Sequence, residues 1–220
     1  MRKKSHVSLA KHIISECTPE SEILHTGFFK FGNLVPDLVP SFVTKKHQID
    51  ITFDIIEKKV YKVVDTYEAS KGLTMLHTKD IGVITHYIAD YFTFPHNAQY
   101  PGTLKDHMHY EKELITALNS YVTSIDVDVP AAMVDELFLK TCRSPEDIFR
   151  YILYVHGAYV RRISRRNFLT EPDGSISTES ICEAVRSDCE HIVRVCSNVV
   201  AAIMLLLRRK RTFGEVCLSM

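Results

Sequence analysis

The sequence lacks an excess of charge of either sign, because 27 lysine and arginine residues are balanced by 27 aspartate and glutamate residues. A general nucleic-acid-binding protein normally carries a strong basic excess, so the composition argues against that class. The sequence also lacks a long apolar run. The most apolar stretch, residues 199–207, has nine residues, whereas a helix that crosses a bilayer needs roughly 20. We therefore expect no transmembrane segment.

Disulfide and export signals are missing as well. None of the six cysteines belongs to a CxxC motif, and their spacing does not resemble a disulfide framework. Cys182, Cys189 and Cys196 recur every seven residues, which places them on one helix face and predicts buried thiols. The N-terminal sequence MRKKSHVSLAKHIISEC has no apolar segment typical of a signal peptide. These observations predict a cytoplasmic, reduced protein.

What the sequence does contain is helical periodicity along most of its length. The hydrophobic share is 45%, so a single domain spanning residues 1–220 has enough apolar material for a sizeable core. Helices are predicted over residues 5–17, 45–69, 79–91, 104–123, 131–140, 145–166 and 178–211. A Gly- and Pro-rich loop is predicted over 25–42, and the tail after Arg211 is expected to fray. The predicted fold class is all-α, a single-domain bundle of several helices.

Histidine is abundant, with 11 residues, and several stand at helical spacing from a carboxylate. His86 and Asp90 lie at i and i+4, so both side chains project from one helix face, and His107 and Glu111 repeat this arrangement. His96 lies between the two pairs. An imidazole and a carboxylate at this spacing form a two-point clamp for zinc. One such pair is as readily a surface ion pair, but two pairs with a third histidine between them indicate a metal site.

The order of these motifs resembles the zinc-dependent phospholipase C family, which has the all-helical fold of the bacterial phosphatidylcholine-hydrolysing enzymes. The matching residues, in chain order, are His6, Asp37 within GNLVPD, His47, His86, Asp90, His96, His107 and Glu111. Single-strand-specific nucleases of the fungal type share this fold and metal pattern. The resemblance therefore implies an all-α zinc protein and leaves the substrate open between phospholipid and nucleic acid.

The resemblance also implies how zinc ions are held. A first zinc would be bound by Asp37, His47, His86 and Asp90. A second would be bound by His96, His107 and Glu111, with a position left open for water or substrate. A third, bridged to the first by Asp90, would use His6 and the amine and carbonyl of the N-terminal residue. The secreted relatives begin with tryptophan, which this sequence lacks, so Met1 or Arg2 would have to supply those backbone ligands.

Phosphodiester hydrolysis explains why several metals are useful. The attacking water has a pKa near 15.7, and zinc lowers it to about 7, while paired metals stabilise both the attacking and the leaving oxygen. Asp37, a carboxylate at the first metal, is the candidate catalytic base that receives the proton of the water. It is also a predicted ligand, so the two roles have to be separated by experiment.

These arguments lead to one principal hypothesis and two alternatives. The principal hypothesis is a zinc-dependent hydrolase whose substrate is a phospholipid or another phosphodiester. The first alternative is a nuclease of the same fold, which alone would make nucleic acid a partner. The second is a non-catalytic, cytoplasmic metal-binding or lipid-sensing protein. Peripheral membrane contact is compatible with the basic run RRKR at 208–211, although cations at a helix C-terminus explain that run more simply.

Overall fold

The computed structural model describes residues 1–16, 25–39, 46–124, 135–166 and 168–218. The α-helices are α1 (Lys3–Glu16), α2 (Thr26–Gly32), α3 (Ile49–Asp65), α4 (Met75–Tyr91), α5 (Leu104–Ser124), α6 (Glu136–Thr141), α7 (Pro145–Ile163) and α8 (Thr178–Leu218). Two short 3₁₀ turns, η1 (Val35–Asp37) and η2 (Phe94–His96), complete the elements. Within these ranges there is no β-strand, and Thr170 and Ile176 form an isolated bridge. The all-α prediction is confirmed.

Helix α4 lies at the centre of the fold. Nearly all of its residues from His77 to Tyr91 are buried, and it packs against α2, α3 and α8. Its first turn is closed by a capping box, in which the Thr74 hydroxyl accepts from the His77 backbone amide and the Thr74 amide donates to the His77 ring. This box starts the helix at Met75, four residues before the predicted start at Lys79. A helix buried on all sides can hold polar groups only if they bind one another or a ligand.

Two glycines allow α2 and α4 to approach closely. A Cβ atom on Gly32 would lie 2.1 Å from the carbonyl oxygen of Lys79, and one on Gly82 would lie 2.3 Å from the carbonyl oxygen of Phe29. The backbones of the two helices are therefore in direct contact. The prediction that residues 25–42 form a loop is wrong for this part, because α2 and η1 lie within it; residues 40–42 lie outside the described ranges.

Helix α8 is the longest element, with 41 residues, and it contacts α1, α3, α4, α5, α6 and α7. It does not end at the basic run, and the tail expected to fray after Arg211 stays helical to Leu218. Lys210 instead donates to the carbonyl of Val64 at the end of α3, and Arg209 to the carbonyl of Cys142. The basic run thus serves the ends of other elements, as cations do at helix C-termini.

Part of α8 is long and apolar enough to cross a membrane, over Thr178–Thr212, but 78% of its most apolar window is buried inside the protein. The nine-residue apolar run at 199–207 is therefore shorter than the apolar part of this helix. Of the regularly spaced cysteines in α8, Cys189 and Cys196 are buried as predicted. Cys182 is exposed, so the prediction is wrong there.

Candidate metal centre

The fold brings all eight predicted ligands to one place. They come from the first turns of α1, from η1, from the residues before α3, from the last turns of α4, from η2 and from α5. Their ligand atoms form three groups, each with all atoms within 4.8 Å of one another: His6 with Asp37 and His86, His47 with His86 and Asp90, and His96 with His107 and Glu111. The last group is the set that the resemblance implied for the second zinc. The first two share His86 and so belong to one continuous cluster.

Asp90 lies between the groups and is almost fully buried, with a side-chain exposure of 1%. Its Oδ2 accepts a hydrogen bond from His47 Nδ1 at 2.7 Å and lies 3.3 Å from His86 Nε2. Its Oδ1 accepts from the Met1 α-amine at 2.6 Å and lies 3.5 Å from His6 Nε2. The two oxygens of one carboxylate therefore face two different sets of nitrogen atoms.

The α-amine of Met1 is part of the cluster. Besides its bond to Asp90, it lies 3.1 Å from His96 Nε2 and 3.6 Å from Glu111 Oε1. Burial alone would lower the pKa of this amine, but the nearby carboxylates of Asp90 and Glu111 outweigh that effect and raise the pKa. Of the two residues that the sequence offered as source of backbone ligands, Met1 is the one whose amine lies at the centre.

His6 is buried without a hydrogen-bond partner on either ring nitrogen. Its ring stacks on that of His86 with centroids 3.8 Å apart. Burial, together with the neighbouring His86, lowers the pKa of His6 to about 3, so the ring is neutral. Buried polar atoms are nearly always paired, and an unpaired one costs about 1–3 kcal/mol. A neutral imidazole with an unused nitrogen beside carboxylates is the donor set that zinc prefers, so these residues fit the metal.

His86 is oriented by the protein backbone. Its Nδ1 donates to the carbonyl oxygen of Asn33 at 2.8 Å, which leaves the lone pair of Nε2 facing the cluster. Nε2 lies 3.3 Å from Asp90 and 3.7 Å from Asp37. Asn33 directly follows Gly32, so the close packing of α2 on α4 places this carbonyl. The sequence did not reveal the contact, because a backbone carbonyl carries no residue signature.

The group of His96, His107 and Glu111, called the second group after the zinc that it would hold, lies nearer the surface. His107 Nε2 is 3.3 Å and His96 Nε2 is 3.8 Å from Glu111 Oε1. Burial would raise the pKa of Glu111, but hydrogen bonds from His107 and His96 hold it well below its usual range. The group opens into a pocket of about 710 Å³ that Asp37 also lines. His109, two residues after His107, is 38% exposed and pairs with Glu113 instead.

A buried acid that sequence reasoning missed supports the second group. Asp188 of α8 accepts a 2.7 Å hydrogen bond from the Phe94 amide, at the start of the turn that carries His96. It also accepts from the hydroxyls of Tyr110, next to Glu111, and of Tyr159 at 2.9 Å. Burial raises the pKa of Asp188 to about 7, although these donors oppose the shift. Asp188 thus connects η2 and α5 to the core.

Comparison with protein families supports the motif-based reading. The model of the family described as zinc dependent phospholipase C matches residues 5–166. A search of curated proteins and a search of solved structures both find no match. The matched range covers most of the chain and includes every residue of the three groups. The chain therefore belongs to the zinc-dependent phospholipase C family.

Proposed function

We propose that the protein is a zinc-dependent hydrolase that cleaves a phosphodiester bond of phospholipids. The observation that carries this proposal is the convergence of three imidazole–carboxylate groups, one of which, His96 with His107 and Glu111, lines a pocket together with Asp37. Family membership supports a zinc-dependent phospholipase C activity in general. The pocket adds an apolar wall from α5, formed by Leu104, Met108 and Ile115, next to the polar base.

The ligands would divide as the motifs imply. Asp37, His47, His86 and Asp90 would hold one zinc, and His96, His107 and Glu111 a second. His6, the Met1 amine and Asp90 Oδ1 would hold a third. Bound zinc supplies positive charge for the phosphate oxygens and lowers the pKa of water. Two features of the protein support the division: the separate partners of the two Asp90 oxygens and the unpaired nitrogens of His6.

Asp37 is the proposed catalytic base. It is the carboxylate of the buried cluster that lines the pocket, whereas Asp90 is engaged with the Met1 amine and His47. Burial raises the pKa of Asp37, which favours acceptance of a proton. Its Oδ1 lies 3.7 Å from His86, too far for a hydrogen bond that would compete for the proton.

The test separates binding from catalysis. Zinc per chain, measured by elemental analysis, should fall in His86→Ala and His107→Ala and stay unchanged in His109→Ala, whose ring lies outside the cluster. Phospholipid hydrolysis should fall about 100-fold or more in Asp37→Asn, with a much smaller loss of zinc. An equal loss of both would make Asp37 only a ligand.

Substrate screening decides between the proposal and its alternatives. Hydrolysis of single-stranded nucleic acid without hydrolysis of phospholipid would make the protein a nuclease. Zinc binding without turnover of either substrate would make it a non-catalytic zinc protein. Absence of zinc, both as purified and after zinc is added, would overturn the proposal.

A further inference from the structure

The mouth of the pocket has two chemically different sides. One side is basic and is formed by Arg2, Lys3 and Lys4 at the start of α1. The other is the apolar wall of α5, where the side chains of Leu104 and Met108 are 77% and 57% exposed. The same pocket is lined by the polar group of His96, His107 and Glu111.

The requirements of helix α1 do not explain why Arg2, Lys3 and Lys4 stand at its start. The N-terminus of a helix favours anions, yet the first turn of α1 has no acidic residue and contains Lys3 and Lys4. Arg2 lies 3.8 Å from Glu111 and donates to the carbonyl of Met108 at 3.1 Å. Lys3 and Lys4 are exposed and form no ion pair within the described ranges. Their charge is therefore directed at a ligand or at solvent.

The basic side is also local to the pocket. The whole chain has a formal net charge of zero, so three consecutive cations beside the candidate centre are a departure from the average surface. Like-signed groups that line one wall of a cleft attract a ligand of opposite charge.

We infer that the pocket selects phospholipids whose headgroup carries an anionic group in addition to the phosphodiester. This inference rests on the proposed function. The phosphodiester lies over the candidate metal ligands, the diacylglycerol side follows Leu104 and Met108, and the headgroup faces Lys3 and Lys4. A headgroup with only an ammonium group is repelled by the same lysines, so zwitterionic phospholipids are the poorer substrates.

Phosphatidylserine and phosphatidylethanolamine form a matched pair of probes, because they differ by one carboxylate. Short-chain forms of both are assayed below their micelle concentration with zinc-loaded protein. We expect kcat/KM to favour phosphatidylserine by at least about tenfold, since a carboxylate about 4 Å from a lysine in water gains about fivefold in affinity and two lysines are present. The preference should disappear in the double variant Lys3→Ala, Lys4→Ala and persist in Lys11→Ala, a matched exposed lysine of α1 outside the pocket.

The outcomes separate the inference from the proposed function. Equal hydrolysis of the two lipids overturns the inference and leaves the function intact. Hydrolysis of neither, with zinc bound, overturns both.

A second arm tests whether the lysines bind the bilayer surface instead of the headgroup. Phosphatidylethanolamine is presented in vesicles with and without non-hydrolysable diether phosphatidylserine. A rate increase that requires the anionic vesicle, without any preference among monomeric lipids, overturns the headgroup assignment.

Discussion

The α-amine of Met1 is a backbone group within a cluster whose other members are side chains. It lies 2.6 Å from Asp90 and 3.1 Å from His96, and it is fully buried. An amine with a raised pKa must lose its proton before it can bind a metal, so zinc uptake at this position releases a proton. The N-terminus is therefore both a structural ion-pair partner and a candidate ligand.

An N-terminal extension tests this role. Placing Gly-Ser before Met1 replaces the charged amine by an amide and moves the terminus out of the cluster. We expect the zinc content to fall by one ion per chain and phospholipid hydrolysis to fall with it, because the third position then lacks a ligand. Both are measured before and after a protease removes the extension, and recovery on removal is the control. Full zinc content and activity with the extension in place would remove Met1 from the ligand set.

For single residues, the sequence predicts which side chains belong to the metal centre but does not reveal which backbone groups do. His86 with Asp90 and His107 with Glu111 are visible because their spacing places both members on one helix face. The Asn33 carbonyl that orients His86 is invisible, since every residue has a carbonyl. The site implied for a third zinc depends on a backbone group in the same way: besides His6 it uses the Met1 amine, whose position depends on how α1 enters the fold.

At the scale of elements, the contact between α2 and α4 controls the geometry of the centre. Gly32 and Gly82 allow the two backbones to touch, and the Asn33 carbonyl then reaches His86 one turn further along α4. The predicted loop over 25–42 hid α2 because its glycines and prolines are typical of loops. Here Gly32 allows two helices to pack closely instead. Whether a glycine has this role depends on the partner helix, which cannot be read from the residues next to Gly32.

Gly82→Ala is expected to destabilise the protein by about 1–3 kcal/mol, because the new methyl group overlaps the Phe29 carbonyl. It should also weaken zinc binding at His86, since α2 must shift. Gly157→Ala in α7 is the matched control: its Cβ would meet nothing closer than Arg161 at 3.5 Å, and it should be neutral or stabilise by about 1 kcal/mol. Urea unfolding measures both, and equal effects of the two substitutions would contradict the packing argument.

Asp188 supports the second group through η2 and α5. In Asp188→Asn one of the two acceptor oxygens becomes an amide N–H, so the Phe94 amide or a tyrosine hydroxyl loses the acceptor to which it donates. We expect a loss of stability of about 1–3 kcal/mol and weaker zinc binding by His96, His107 and Glu111. Elemental analysis and thermal unfolding measure the two effects. Unchanged zinc content in a folded variant would show that Asp188 stabilises the core only.

The pH dependence gives this variant a distinct signature. Because the folded pKa of Asp188 is raised to about 7, its favourable contribution is present at low pH and is lost as pH rises from about 4 to about 7. Asparagine does not titrate. With zinc chelated, the stability deficit of Asp188→Asn should therefore be larger at about pH 5 than at about pH 8. A deficit independent of pH would contradict the raised pKa.

On the scale of the whole molecule, α8 and the metal centre have complementary roles. Helix α8 contacts six other helices and supplies much of the apolar core, including Val199, Ile203 and Leu207. The centre joins the N-terminus, η1, α4, η2 and α5 on polar groups alone. A centre of this kind holds its elements weakly without a ligand, because His6 is unpaired and carboxylates lie close together. Zinc binding should therefore be coupled to the stability of the fold.

The final prediction concerns this coupling. A ligand at about 1,000 times its Kd stabilises the folded state by about 4 kcal/mol, which corresponds to a rise in Tm of roughly 10 °C for a protein of this size. The zinc-free protein should also lose stability below about pH 6.5. Burial lowers the pKa of His6 to about 3 and that of His156 to about 4, so the unfolded state binds more protons there.

Asp188, whose pKa is raised to about 7, has the opposite effect on stability, but burial also lowers the pKa of His77, His96 and His191, which adds to the effect of His6 and His156. The net stability should therefore fall from about pH 6.5 to about pH 5. Thermal unfolding with and without zinc, from pH 5 to 8, measures both effects. If zinc binds the folded protein and leaves Tm unchanged across this range, the unfolded chain binds zinc about as tightly, and zinc binding is not coupled to folding. The apolar core around α8 would then hold the fold without help from the metal.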